Sequence, residues 1–190
     1  MPSCYLIRQI KKLVTTNFRK FATDIDFRMK KINLTVDYLE YDHPDELPQE
    51  DKNLLDIAAG SMKHAYAVYS GFHVGAALLL ENGETVTGSN QENVAFPSGM
   101  CAERVALFYA SARYPDTAVK TIAITAFSND FSIDEPITPC GACRQVMAET
   151  ETRTARRIRL ILKGEADKVF VIEGTNNLLP LMFHANGLKK

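Results

Sequence analysis

The chain predicts an α/β protein, a three-layer α/β/α sandwich around a mixed five-stranded sheet. Three observations carry this: apolar blocks that switch between strand and helix period, a strong hairpin signal at Asn82-Gly83, and the order of the elements. From residue 49 onward that order is helix, hairpin, helix, strand, helix, strand, strand, which calls for helices on both faces of one sheet.

Residues 1–28 differ in character from the rest of the chain. Leu6, Ile7, Ile10, Leu13, Val14, Phe18 and Phe21 recur at helical steps, and Arg8, Lys11, Lys12, Arg19, Lys20 and Arg28 outweigh Asp24 and Asp26. We read 1–28 as a basic amphipathic N-terminal extension that need not belong to the mature protein, with Met29 as the natural beginning of a domain spanning 29–190. A dispensable helix and a targeting segment are the other readings. Ile32, Leu34, Val36 and Tyr38 then alternate as one face of a strand, and His43-Pro44-Asp45-Glu46-Leu47-Pro48 forms a loop.

A helix runs from about Gln49 to Ala67, its stripe built from Leu54, Leu55, Ala58, Met62 and Ala65. Phe72 to Leu80 is a buried strand, and Asn82-Gly83 returns the chain into Glu84–Gly88. A second helix spans Cys101 to Tyr114 and stops before Pro115. Val119–Phe127 is a strand, Cys140–Glu149 a helix, and Ile158–Lys163 and Val169–Ile172 complete the sheet.

The 190 residues are 46% apolar, enough for one sizeable core. A formal net charge of -1 argues against a polynucleotide partner, because phosphate binding leaves a strongly basic surface. A small, nearly uncharged ligand fits better, and no segment is long and apolar enough to cross a membrane. Of four cysteines, Cys4 stands alone while Cys101, Cys140 and Cys143 fall in two short motifs, a usage that suits a reducing, cytoplasmic compartment better than a disulfide framework.

Those motifs are Cys101-Ala102-Glu103-Arg104 and Pro139-Cys140-Gly141-Ala142-Cys143-Arg144-Gln145. A lone Cys-x-x-Cys fits a redox pair as well as a metal site, but Cys-Ala-Glu upstream and Pro139 favour zinc. Cys140 and Cys143 lie one helical turn apart, and Cys101 opens another helix. Thiolates are favoured at helix N-termini, where unpaired N–H groups and the dipole stabilise negative charge. Three ligands are one too few for structural zinc and suit catalytic zinc, whose fourth position is left to water. Glu103 is placed to move protons there without binding the metal. Three thiolates make a poor acidifier of water, so Arg104 and Arg144, each beside a ligand, are read as charge compensation through hydrogen bonds to sulfur.

Cys-x-Glu followed by Pro-Cys-x-x-Cys resembles the zinc-dependent nucleoside deaminases, a signature shared with base deaminases. With Cys101 in the place where nucleotide deaminases carry His, the chain is similar to the three-cysteine cytidine deaminases. Tyr69-Ser70-Gly71-Phe72-His73-Val74-Gly75-Ala76-Ala77-Leu78 and Gly88-Ser89-Asn90-Gln91-Glu92-Asn93-Val94-Ala95 resemble two further segments of that family. The resemblance spans about Gln49 to Gln145, with a weaker tail to Phe183.

It implies a cytidine deaminase-like fold, one zinc per subunit and hydrolytic deamination of cytidine and deoxycytidine in pyrimidine salvage. It also implies roles: Asn90 and Glu92 hold the sugar hydroxyls, Phe72 packs near the base and sugar, and the Ala102 N–H meets the pyrimidine carbonyl. Leu178-Leu179-Pro180-Leu181-Met182-Phe183 resembles a family segment whose phenylalanine reaches a neighbouring subunit's site, so a homotetramer with sites at its interfaces is implied. Val68 and Gln91 depart from the family pattern, and Arg153, Arg156, Arg157 and Arg159 form an Arg-rich stretch read as a solvated or intersubunit face, with a phosphate-binding patch as the alternative. A deaminase of an aminonucleoside antibiotic and a non-enzymatic zinc module are the alternatives; the latter needs a fourth protein ligand, and no histidine lies in either motif.

Overall fold

The computed structural model describes residues 29–184 and 186–188, so the extension read over 1–28 lies outside the described residues. The chain divides into two units at Leu34 and Thr35; in the first, residues 29–34 carry no regular secondary structure. In the second, among the described residues, six strands form one mixed sheet: β1 (Leu39–Tyr41), β2 (Phe72–Leu80), β3 (Thr85–Ser89), β4 (Val119–Ser128), β5 (Arg159–Lys163) and β6 (Val169–Glu173). Three helices accompany them: α1 (Gln49–Ser61), α2 (Ala102–Arg113) and α3 (Gly141–Thr154). The strand order is β1-β6-β5-β4-β2-β3, with β4 and β5 parallel and every other pair antiparallel.

The α/β sandwich is as predicted, but the sheet has six strands rather than five. The addition is β1, which pairs Leu39 with Val171 and Tyr41 with Val169 along the β6 edge. The strand read over Ile32–Tyr38 therefore forms later than its alternation suggests. Backbone pairing to β6, with the Tyr38 ring 4.8 Å from that of Phe170, decides its place.

Alternation assigns the two faces. Ala76, Leu78 and Leu80 of β2, Ile122 and Ile124 of β4, and Leu160 and Leu162 of β5 pack with α2 and α3. Ala77, Ala123, Ile161, Val169 and Val171 face the other way, against Leu54, Leu55 and Ala58 of α1. Two glycines set how closely the helices approach. A Cβ on Gly75 would lie 2.0 Å from the Ala58 carbonyl oxygen in α1, and one on Gly88 would lie 2.4 Å from the Ala102 carbonyl oxygen in α2.

Two helices end differently from their sequence signals. α1 stops at Ser61 instead of Ala67, because Tyr66 leaves the helix to pair with the 90–92 segment: its N–H donates to Asn90 and its carbonyl accepts from Glu92. α3 continues past Glu149 to Thr154, with the Thr150, Thr152 and Thr154 hydroxyls each donating to the carbonyl one turn back, and stops where Ala155 turns left-handed. Among the described residues no helix is long and apolar enough to cross a membrane.

Candidate active site

The sheet delivers two helix N-termini to one place. After β3, residue Gln91 exchanges both backbone hydrogen bonds with Met100, at 2.8 Å each, which pins the chain immediately before Cys101. Cys101 is the N-cap of α2 and Cys140 the N-cap of α3, both with extended backbone; Cys143 lies one turn into α3. Gly88 lets the first turn of α2 lie directly on β3.

The three sulfurs cluster. Cys101 Sγ is 3.9 Å from Cys140 Sγ, Cys140 Sγ is 3.5 Å from Cys143 Sγ, and all three lie within 4.8 Å of one another. The donor set fits a thiophilic divalent cation such as zinc, and among the described residues it contains no histidine or carboxylate. A fourth protein ligand, which a purely structural zinc would need, is not among these residues.

Electrostatics follow from burial and neighbours. The Cys101 thiol is pulled down to about 5, first by the hydrogen bond it receives from the Cys143 thiol and then by Arg104, whose Nη2 lies 3.6 Å from Cys101 Sγ. Cys143 is correspondingly pushed up, since it supplies the proton that the pair shares. A cation in place of that proton would hold both sulfurs as thiolates. Arg104 Nε is buried with no hydrogen-bond partner. Glu103 is 5% exposed, and burial, reinforced by negative charge at Cys101, raises its carboxyl above the ordinary range.

Cys101, Glu103 and Cys140 line a cavity of about 510 Å³ together with Phe72, Asn90 and Glu92. The remaining wall includes Tyr69, Phe96, Met100, Ile124, Ile137 and Thr138, and among the lining residues none is lysine, arginine or histidine. Glu92 is tightly held: Oε2 accepts from the Tyr69 N–H at 2.8 Å and the Ser70 N–H at 3.4 Å, and Oε1 accepts a short bond from the Ser70 hydroxyl. The Ser70 and Tyr69 bonds keep its carboxyl below the usual range. Asn90 clamps β2, with Oδ1 accepting from the Val74 N–H and Nδ2 donating to the Phe72 carbonyl, both at 2.8 Å. Phe72 stacks on Phe131 with centroids 6.0 Å apart.

Ala102 is fully buried as the first residue of α2, where its N–H has no intrahelical acceptor. One residue, Arg144, makes other contacts than expected, and Phe183 lies outside its own chain's cavity, as a residue expected to reach a neighbouring subunit's site would. Arg144 donates to the Pro139 and Leu178 carbonyls and to the Thr138 hydroxyl, so its fork meets oxygens and not sulfur. Phe183 is exposed and does not line the cavity of its own chain; its backbone is held at both N–H and carbonyl by Gln145. Sequence reasoning missed Ser70 as the holder of Glu92, although it stands inside the Tyr69–Leu78 motif. Ile137 had no signal. The Arg-rich stretch is partly absorbed by contacts: Arg159 pairs with the buried Asp51 and with Glu173, and Arg153 donates to Ser111.

Residues 48–157 match the family model described as "Cytidine and deoxycytidylate deaminase zinc-binding region". Cytidine deaminase of Halalkalibacterium halodurans is 37% identical over 137 residues, covering 71% of this chain and 95% of that protein. That of Sporosarcina psychrophila is 38% identical over 137 residues, covering 72% and 93%. Among solved structures, cytidine deaminase from Burkholderia pseudomallei superposes with a TM-score of 0.61 at 34% identity, covering 72% of this chain and 100% of that one.

Proposed function

Since the chain belongs to the cytidine and deoxycytidylate deaminase family, we propose that it hydrolyses the exocyclic amine of cytidine and deoxycytidine. Water adds at C4 and ammonia leaves, giving uridine or deoxyuridine. The carrying observation is that Cys101, Glu103 and Cys140 line the same cavity as Asn90 and Glu92.

Cys101, Cys140 and Cys143 hold one zinc, which when bound supplies the Lewis acidity that brings a water's pKa towards neutrality. Glu103 takes one proton of the attacking water on its carboxylate and passes it to N3. It then takes the second from the hydroxyl now on C4 and gives it to the departing amine as C4=O forms and the C4–N bond breaks. A carboxyl raised by burial is suited to hold each proton between transfers. Arg104 and the two helix N-termini offset the negative charge of the thiolates. The Ala102 N–H is the donor to the pyrimidine carbonyl, and Phe72 packs against base and sugar.

Counting free hydrogen-bonding capacity supports acceptance of both sugars. A carboxylate offers about four acceptor sites, and protein donors already fill three of those on Glu92. Asn90 keeps one N–H and one lone pair free. One sugar hydroxyl can therefore donate to Glu92 while accepting from Asn90, and a second can donate to the remaining Asn90 lone pair, so deoxyribose keeps the first grip and ribose adds one bond. A 5′-phosphate would enter a cavity whose own lining has no cation and contains Glu92, so nucleosides are favoured over nucleotides.

Exposed Phe183 supports a homotetramer in which that ring completes a neighbouring cavity, and three thiolates suit a reducing cytoplasm. The test is zinc stoichiometry together with the absorbance change of cytidine, deoxycytidine and their 5′-monophosphates. We expect one zinc per chain, turnover of both nucleosides and little of the nucleotides. Zinc-loaded protein that leaves both nucleosides untouched would overturn the reading.

A further inference from the structure

Arg144 directly follows the ligand Cys143, yet its guanidinium is engaged by oxygens. Nε donates to the Pro139 carbonyl at 2.7 Å, Nη1 to the Leu178 carbonyl at 2.8 Å and Nη2 to the Thr138 hydroxyl at 3.2 Å. Two of these acceptors belong to the step leading into Cys140, and the third belongs to the C-terminal segment. The neighbouring Gln145 holds that segment again at Phe183, accepting from its N–H and donating to its carbonyl at 3.2 Å each. The first turn of α3, the ligand loop and residues 178–183 are thus one hydrogen-bonded unit. Arg104, by contrast, donates to Cys101 Sγ.

We propose that Arg144 is a positioning residue that fixes the Thr138–Cys140 loop to the backbone at Leu178, through the geometry of its fork and not through its charge. Pro139 is buried and has no N–H, and a buried carbonyl left without a donor carries a full desolvation penalty. The planar guanidinium meets the Pro139, Leu178 and Thr138 oxygens at once. A lysine ammonium, a point charge on a flexible stem, does not hold three acceptors in that arrangement. The loop carries Cys140, and both Thr138 and Cys140 line the cavity, so loosening it moves a metal ligand and part of the wall together.

The kinetic part of this inference rests on the proposed deaminase reading; the metal-release part does not. The experiment compares zinc-loaded wild type, Arg144→Lys and Arg144→Gln for zinc release to a chromophoric chelator and for cytidine kinetics. Both variants are expected to release zinc about 10–100-fold faster, and to lose about tenfold in kcat with KM changed less than about threefold. Arg144→Lys that matches wild type while Arg144→Gln does not would overturn the proposal in favour of a charge role, and two variants indistinguishable from wild type would remove any role. A wild type inactive on cytidine would sink the functional reading while the release rates still decide the role of Arg144. Should Arg144→Lys fail to fold, Thr138→Val keeps the side-chain shape and deletes one acceptor. Zinc release faster than in wild type then supports the proposal, and unchanged release overturns it.

Discussion

Replacing Gly88 by alanine tests whether the approach of α2 to β3 places the site. The added Cβ would lie 2.4 Å from the Ala102 carbonyl oxygen, 2.7 Å from the Ala106 nitrogen and 3.0 Å from the Ala106 Cβ, and ordinary contact begins at 3.4 Å. All three atoms belong to α2, two of them backbone, so the helix has to withdraw by about 1 Å, since a close-packed core has no slack to absorb it. Ala102 lies between Cys101 and Glu103, and the Cys101 and Cys140 sulfurs are only 3.9 Å apart. Overpacking of this kind costs about 1–3 kcal/mol, lowering Tm by about 3–9 °C in a domain of this size. Misplacement by about 1 Å costs about 100-fold in rate. Gly75→Ala is the control, because its Cβ would meet Ala58 and Ser61 of α1, which lines no part of the cavity. It is expected to lower Tm at least as much while turnover per zinc-loaded molecule stays within about threefold. Thermal unfolding, zinc content and cytidine kinetics on both variants decide. Equal loss of turnover in the two, or Gly88→Ala with wild-type kinetics, would refute the reasoning.

Three further outcomes are expected. Glu103→Ala keeps its zinc and its fold but loses about 10²–10⁴-fold in kcat, and substantial residual turnover would remove the proton-transfer role. Arg104→Gln removes the guanidinium beside Cys101 Sγ and is expected to release zinc about tenfold faster to a chelator; unchanged release and turnover together would dismiss charge compensation. Ala155 ends α3 in the left-handed region at φ 52°, so Ala155→Gly relieves backbone strain at the cost of a looser unfolded chain. The net gain is about 0.5 kcal/mol, or about 2 °C in Tm by calorimetry, with no change in turnover.

What the sequence made legible was local. The alternation of Ala76, Leu78 and Leu80 against Ala77 and Leu79 is intrinsic to a strand and survives into the two faces of β2. The Cys-x-Glu and Cys-x-x-Cys spacings are local too, and helix geometry alone brings Cys140 and Cys143 together. The differences arose where tertiary partners decide. β1 is three residues held by pairing to β6, too short to carry a period. The end of α1 is fixed by Tyr66 bonding to a segment more than twenty residues away. Arg144 looked like a partner for sulfur because Cys143 is its neighbour in sequence, but its side chain turns to a carbonyl at Leu178, which no spacing rule reveals. Adjacency in the chain therefore located the three clustered cysteines and the Arg104 contact with Cys101 Sγ, and failed only for Arg144.

The two arginines and Glu103 belong to one electrostatic problem. Three thiolates on a divalent ion leave an excess negative charge, which weakens acidification of water. Two helix N-termini, each about half a positive charge, and the Arg104 guanidinium stand against that excess. Arg144 is not needed as a third cation in this balance and is free to hold the loop. The same excess acts on Glu103 in the opposite sense: burial and the charge at Cys101 both favour its protonated form. A site that is reluctant to take a proton from water thus has beside it a carboxyl unusually willing to keep one. In the proposed mechanism one proton of the attacking water goes to N3 and the other to the departing amine, and a carboxyl that readily holds each in turn offsets the weakness of a three-thiolate centre.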